Sequence, residues 1–178
     1  MPQFFAFLRG INAGPKRAVR MGVLRQTFES LGFFSVATFL GSGNVVLETR
    51  ANDVRRLEKT IESGLKRALV YSVPVFIRTH AELKEILASE PLDKPLILDA
   101  DVNIILLAHD LDQKDRAKLL ALTTETDRFR VHGREVYWWR PKKPGTSLFS
   151  TVPLAKVLSE PFTIRSTNTI RRLVAKWP

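Results

Sequence analysis

Two glycine-bearing stretches hold the residues best suited to binding chemistry. In the first, Arg9, Gly10, Asn12, Lys16 and Arg20 fall between an apolar run, Phe4 to Leu8, and the next apolar periodicity, which begins at Met21. The second is Gly41-Ser42-Gly43-Asn44. Glycines let main-chain N–H groups approach an anion, Asn and Ser add side-chain hydrogen bonds, and Lys and Arg add charge beside a helix start. That chemistry is recognition of a phosphate or carboxylate. It is not a P-loop, because Gly10 and Gly14 stand too close together and Lys16-Arg17 is not followed by Ser or Thr. The plainer alternative gives the glycines to turns and Asn44 to a hairpin backbone; the added cations, which tight turns do not need, favour a binding site.

Other candidates are weaker. His80, His109 and His132 are scattered without metal-ligand spacing, so neither a metal site nor a cofactor is expected. No G-x-S-x-G elbow occurs, Ser42 has no foreseeable base, and no residue pattern specifies a reaction. Asp110, Asp112 and Asp115 sit where carboxylates stabilise a helix dipole. Glu58 with Glu62, and Glu62 with Lys66, read as the solvated face of a helix. In a hairpin over Arg128 to Arg140, Arg128, Arg130, Tyr137 and Trp139 share one face and would suit stacking of single-stranded nucleic acid. A covered face is favoured there, because large aromatics are usually buried and no RNP-type motif accompanies them.

The elements that must position these residues follow from hydrophobic period. Phe4 to Leu8 reads as a strand buried on both faces. Met21, Leu24, Phe28 and Leu31 form one helical stripe closed by Gly32, giving a helix over 20–31. Val36 to Leu40 and Asn44 to Glu48 are strands joined by a glycine turn. Asn52 or Asp53 caps a helix through Leu57, Ile61 and Leu65, and Val73 to Arg78 is a strand. The order βαββαβ is the ferredoxin-like pattern, with sheet order 4-1-3-2. This topology brings the end of strand one beside the turn between strands two and three. Residues near 10 and near 43 therefore become neighbours.

Thr79 caps a connecting helix, and Pro91 to Asp101 reads as a boundary, so the expected subdomains are 1–90 and 91–178. The second half restarts the pattern with a strand Val102 to Ala108, a helix Asp112 to Leu122, the hairpin, a basic loop and a helix Thr151 to Leu158. Thr163 to Thr169 then leads into a final helix through Ile170 and Leu173. The expected fold is α+β, a ferredoxin-like subdomain followed by a related α+β subdomain. Residue-level similarity between the halves is not evident.

Composition bounds the rest. The 178 residues carry a formal net charge of +10, spread evenly over the two halves, which favours anionic partners: binding of a small molecule first, with a nucleic-acid-binding module or an enzyme of unspecified reaction as the alternatives. Cysteine is absent, which excludes disulfides and thiol nucleophiles and fits a reducing cytosol. The apolar run at Phe4 to Leu8 is too short for a signal peptide, and no stretch has the length of a membrane span. The expectation is a cytoplasmic protein with no membrane association. Oligomeric state is not encoded in any pattern.

The stretch L-R-G-I-N-A-G-P-K from Leu8 to Lys16, then Met21-x-x-Leu24, Leu31-Gly32-Phe33 and T-F-L-G-S-G-N-V-V from Thr38 to Val46, resembles the mostly bacterial family known as domain of unknown function 1697. Thr163, Arg165, Asn168 and Thr169 resemble that family's closing T-x-R-N-W-N-T. Pro15, Ser166 and Thr167 depart from its pattern, and its G-x-x-S-K-L survives loosely as Gly145-Thr-Ser147-Leu148. The resemblance implies a two-subdomain α+β fold, brings no activity, and adds Arg165 and Asn168 to the candidate ligand-binding residues.

Overall fold

In the computed structural model, which describes residues 1–12, 14, 17–89, 100–125, 127–141 and 151–178, the chain divides into two units, Met1–Leu83 and Lys84–Pro178. Lys16, the boundary stretch from residue 90 to 99 and the Gly145 to Leu148 motif lie outside the described residues.

The first unit comprises β1 (Gln3–Leu8), α1 (Met21–Ser30), β2 (Phe34–Phe39), β3 (Asn44–Glu48), α2 (Val54–Leu69) and β4 (Val75–Thr79), and α3 (His80–Ala88) follows. Its sheet order is β2-β3-β1-β4, with β1 antiparallel to both neighbours. This is the order expected from the βαββαβ pattern. Phe4, Ala6 and Leu8 join Leu24, Phe28, Leu57, Ile61 and Leu65 of the helices in one apolar core. Phe5 and Phe7, on the other face of β1, are buried as well, which explains the unbroken apolar run.

The helix ends are set by local chemistry. Gly32 stands at φ +86° and donates to the Glu29 carbonyl, while the Phe33 N–H reaches Phe28, so the last carbonyls of α1 are satisfied. Asp53 caps α2 by accepting from the Arg56 N–H at 3.0 Å. At the start of α3, Thr79 and Glu82 cap each other's backbone N–H groups reciprocally.

One sequence reading is corrected in α2. Glu58 is only 5% exposed and accepts the Ile77 N–H at 2.9 Å, and Glu62 accepts the Val75 N–H at 2.9 Å. Because β4 is an edge strand, every second N–H of it has no strand partner, and the two carboxylates one helical turn apart take them up. They seal a sheet edge and do not form a solvated face.

The second unit repeats the plan with β5 (Ala100–Leu107), α4 (Gln113–Leu120), β6 (Arg128–His132), β7 (Glu135–Pro141), α5 (Thr151–Val157), β8 (Phe162–Ser166) and α6 (Thr167–Lys176). Its sheet order, β6-β7-β5-β8, is that of the first unit strand for strand. Thr163 to Ser166, read from sequence as a lead into the last helix, belongs instead to β8, which pairs antiparallel with β5. Phe162, Thr163 and Ile164 are good strand formers, but the segment is only five residues long and runs without a break into the capped helix α6, so its pairing with β5 is what marks it as a strand.

Register also reveals a repeat that the sequence hides. Val75 lies opposite Leu8, and Phe162 lies opposite Leu107. Counting along from these pairs aligns Ile77-Arg78-Thr79 with Ile164-Arg165-Ser166. Each arginine turns its Nη1 back onto the preceding isoleucine carbonyl, at 2.9 Å for Arg78 and 2.8 Å for Arg165. Thr79 and Ser166 each cap the helix that follows. The two halves share topology, side-chain conformation and cap at this point.

Candidate functional site

The loop that leaves β1 is held against the β2–β3 turn by its backbone and by one asparagine. The Leu8 N–H donates to the Gly43 carbonyl at 2.8 Å and the Arg9 N–H to the Pro74 carbonyl at 3.0 Å. Asn12, itself at φ +55°, donates from Nδ2 to the Gly41 carbonyl at 2.6 Å and to Val19 at 3.3 Å, and its Oδ1 accepts the Val19 N–H at 2.6 Å. A Cβ on Gly43, at φ +79°, would stand 3.0 Å from the Cβ atoms of both Leu8 and Ile11. Only glycine allows this approach, so the juxtaposition of the two glycine stretches is built into the fold.

The candidate residues then divide by task. Asn12 is the clasp between loop and turn. Asn44 is buried and donates to the Phe39 carbonyl at 2.9 Å and to Ser42 Oγ at 3.1 Å, so it satisfies the hairpin as the plainer reading had it. Gly10 takes a left-handed conformation at φ +74°. Arg20 is exposed and occupies the N-cap position of α1, where no side chain caps the helix and no acidic residue stands in its first turn. Arg9 is half-buried in the same loop. Arg17, which the sequence reading passed over, places its guanidinium 5.2 Å from the centroid of the Tyr71 ring. Its position between Lys16 and Arg20 in the same loop was the signal available for it.

Arg165 and Asn168 belong to the second unit. Arg165 is 8% exposed, hydrogen-bonds Thr163 Oγ1 at 2.8 Å, and burial lowers its pKa to about 10, which leaves it charged at neutral pH. Asn168 is exposed in the first turn of α6.

Residues 1–137 match the family described as "Protein of unknown function (DUF1697)". The chain belongs to that family. None of the curated proteins matches it. Among solved structures, a conserved bacterial protein, SP0830 from Streptococcus pneumoniae, is similar with a TM-score of 0.77 at 19% identity, over 98% of this chain and 97% of the other. At that identity the likeness shows the fold of this chain and nothing about its chemistry.

The second unit has its own version of the same end, with the opposite charge. The Leu107 N–H donates to the Arg134 carbonyl at 3.0 Å, as Leu8 does to Gly43. A cleft of about 100 Å³ there is lined by His109, Asp110, Asp112, Asp115 and Glu160, among others. Asp112 caps α4, the role foreseen for this group. Asp115 does something else: it is buried and accepts from both the Oγ and the N–H of Ser159, which hold its carboxyl below the usual carboxylate range. Among the described residues no group of three His, Asp or Glu is placed to hold a metal ion. On the hairpin face proposed for base stacking, Tyr137 is buried and its hydroxyl donates to the Ile86 carbonyl at 2.7 Å, Trp139 is half-buried, and Arg128 and Arg130 are exposed.

Proposed function

We propose that the β1–α1 loop of the first unit binds an anionic small ligand through a phosphate or carboxylate group, in the cytoplasm. The observation that carries this reading is the open start of α1. The helix begins with no side-chain cap and no acidic first turn, with the exposed Arg20 at its N-cap position and the exposed Arg17 three residues earlier in the loop. Main-chain N–H groups without a side-chain partner, reinforced by the helix dipole and by two guanidinium groups, suit an oxyanion. Asn12 and Gly43 act as positioning residues, since they fix the loop without offering the ligand their main hydrogen-bonding capacity.

Calorimetric titration with inorganic phosphate and with citrate tests the proposal. Arg17→Ala and Arg20→Ala are each expected to weaken binding by about tenfold, the usual worth of a charge-assisted hydrogen bond. Affinities equal to wild type in both variants would remove the loop as the site.

A further inference from the structure

This inference rests on the anion-binding reading of the same loop end and assigns its partner. We infer that this end of the first unit docks on an anionic lipid surface, with Arg17, Arg20, Lys66 and Arg67 meeting headgroups and the side chains of Leu40 and Val70 entering the apolar boundary.

Topology gathers these residues. β1 ends at Leu8, which lies opposite Val75 at the start of β4, and Phe7 lies opposite Asn44 at the start of β3. The β1–α1 loop, the β2–β3 turn and the α2–β4 loop therefore leave the sheet at one end. No Asp or Glu occurs in residues 9–20, 40–44 or 66–75. Glu62, one turn before Lys66, is turned inward onto the Val75 N–H. The three segments carry only basic charged residues, a charge pattern that complements an anionic membrane face.

The apolar residues at the tips decide between polyanions. Val70 is 89% exposed and Leu40 is 43% exposed. Both stand in the left-handed region, at φ +64° and φ +56°, where a branched side chain is strained. Glycine or asparagine would fit those backbone positions better, so neither side chain is there for the turn. Nor does either serve a polar phosphate backbone, and the one aromatic at this end, Tyr71, is half-buried against the core with the Arg17 guanidinium over its ring, which disfavours stacking of a base. Exposed aliphatic side chains on loops that also carry exposed cations are the kind of surface that adsorbs to anionic bilayers. No helix among the described residues is long and apolar enough to cross a membrane, so the contact is peripheral.

The test is flotation of the intact protein with vesicles of phosphatidylcholine alone and with vesicles that also contain phosphatidylglycerol. The protein is expected to float only with the anionic vesicles, and less at high salt. Val70→Gly and Leu40→Asn are each expected to lower the bound fraction about tenfold while melting no lower than wild type, because both relieve left-handed strain. A protein that stays at the bottom with anionic vesicles overturns the inference. So do variants that float as wild type, and so does single-stranded RNA binding that competes with wild-type flotation but is unaffected by Val70→Gly. Phosphate binding in solution without flotation sinks this inference alone. The absence of both phosphate binding and flotation sinks the functional proposal as well.

Discussion

Single residues set the loop end through backbone conformation. Gly43 works because a Cβ there would press on Leu8 and Ile11 and also face a left-handed φ. Gly43→Ala should therefore destabilise the protein by about 2 kcal/mol or more, measured by urea denaturation, with the loop beside it shifted. Val70 is the reverse case: it is exposed and left-handed, so Val70→Gly should stabilise by roughly 1 kcal/mol in the same assay. Asp115 supplies a pH dependence. Its folded-state pKa is depressed first by the Ser159 hydroxyl and then by the Ser159 N–H, with burial opposing. Its contribution to stability is present above the unfolded value near 3.8 and is lost as pH falls through the lower folded value. Ser159→Ala removes the largest cause, so acid unfolding followed by tryptophan fluorescence should begin at higher pH than in wild type.

At the scale of elements, the sheet edge is where sequence pattern and structure part. The spacing of Glu58 and Glu62 is the spacing of a solvated helical pair, and nothing in α2 alone distinguishes the two roles. What decides is β4, an edge strand whose outward N–H groups at Val75 and Ile77 match the rise of one helical turn. Glu58→Ala should leave the Ile77 N–H buried without its acceptor and cost about 1–3 kcal/mol. Glu58→Gln keeps an acceptor and should recover most of that. Amide exchange at Ile77, fast in the Ala variant and slow in the Gln variant, checks the assignment. The same reasoning applies to β8, five residues that lead directly into α6 and are set apart from that helix by their pairing with β5.

At the scale of the whole molecule, one plan is used twice and charged differently. Both units have the 2-3-1-4 strand order, and the turn between the second and third strands accepts the same N–H from the first strand in each. The first unit surrounds that end with cations, the second with carboxylates. Arg78 and Arg165, equivalent by register and alike in conformation, should respond alike. Arg78→Lys and Arg165→Lys each lose the guanidinium bond to the preceding carbonyl and should cost similar amounts, about 1–3 kcal/mol by denaturant unfolding. A large cost in one and none in the other would count against a shared role.

The amino-acid order by itself determined the βαββαβ course of the first unit, its strand order, and the meeting of Asn12 with the Gly41 turn. Those depend on apolar period, glycine placement and the short list of ways such elements can pack. It also marked the basic loop, because charge is written in composition. Tertiary structure alone decided that Asn44 and Glu58 are occupied with backbone, that Tyr137 is closed off, and that Arg78 and Arg165 are counterparts. Each of those outcomes turns on which backbone group or ring lies beside a side chain, and that neighbour comes from a distant part of the chain, where local periodicity carries no record of it.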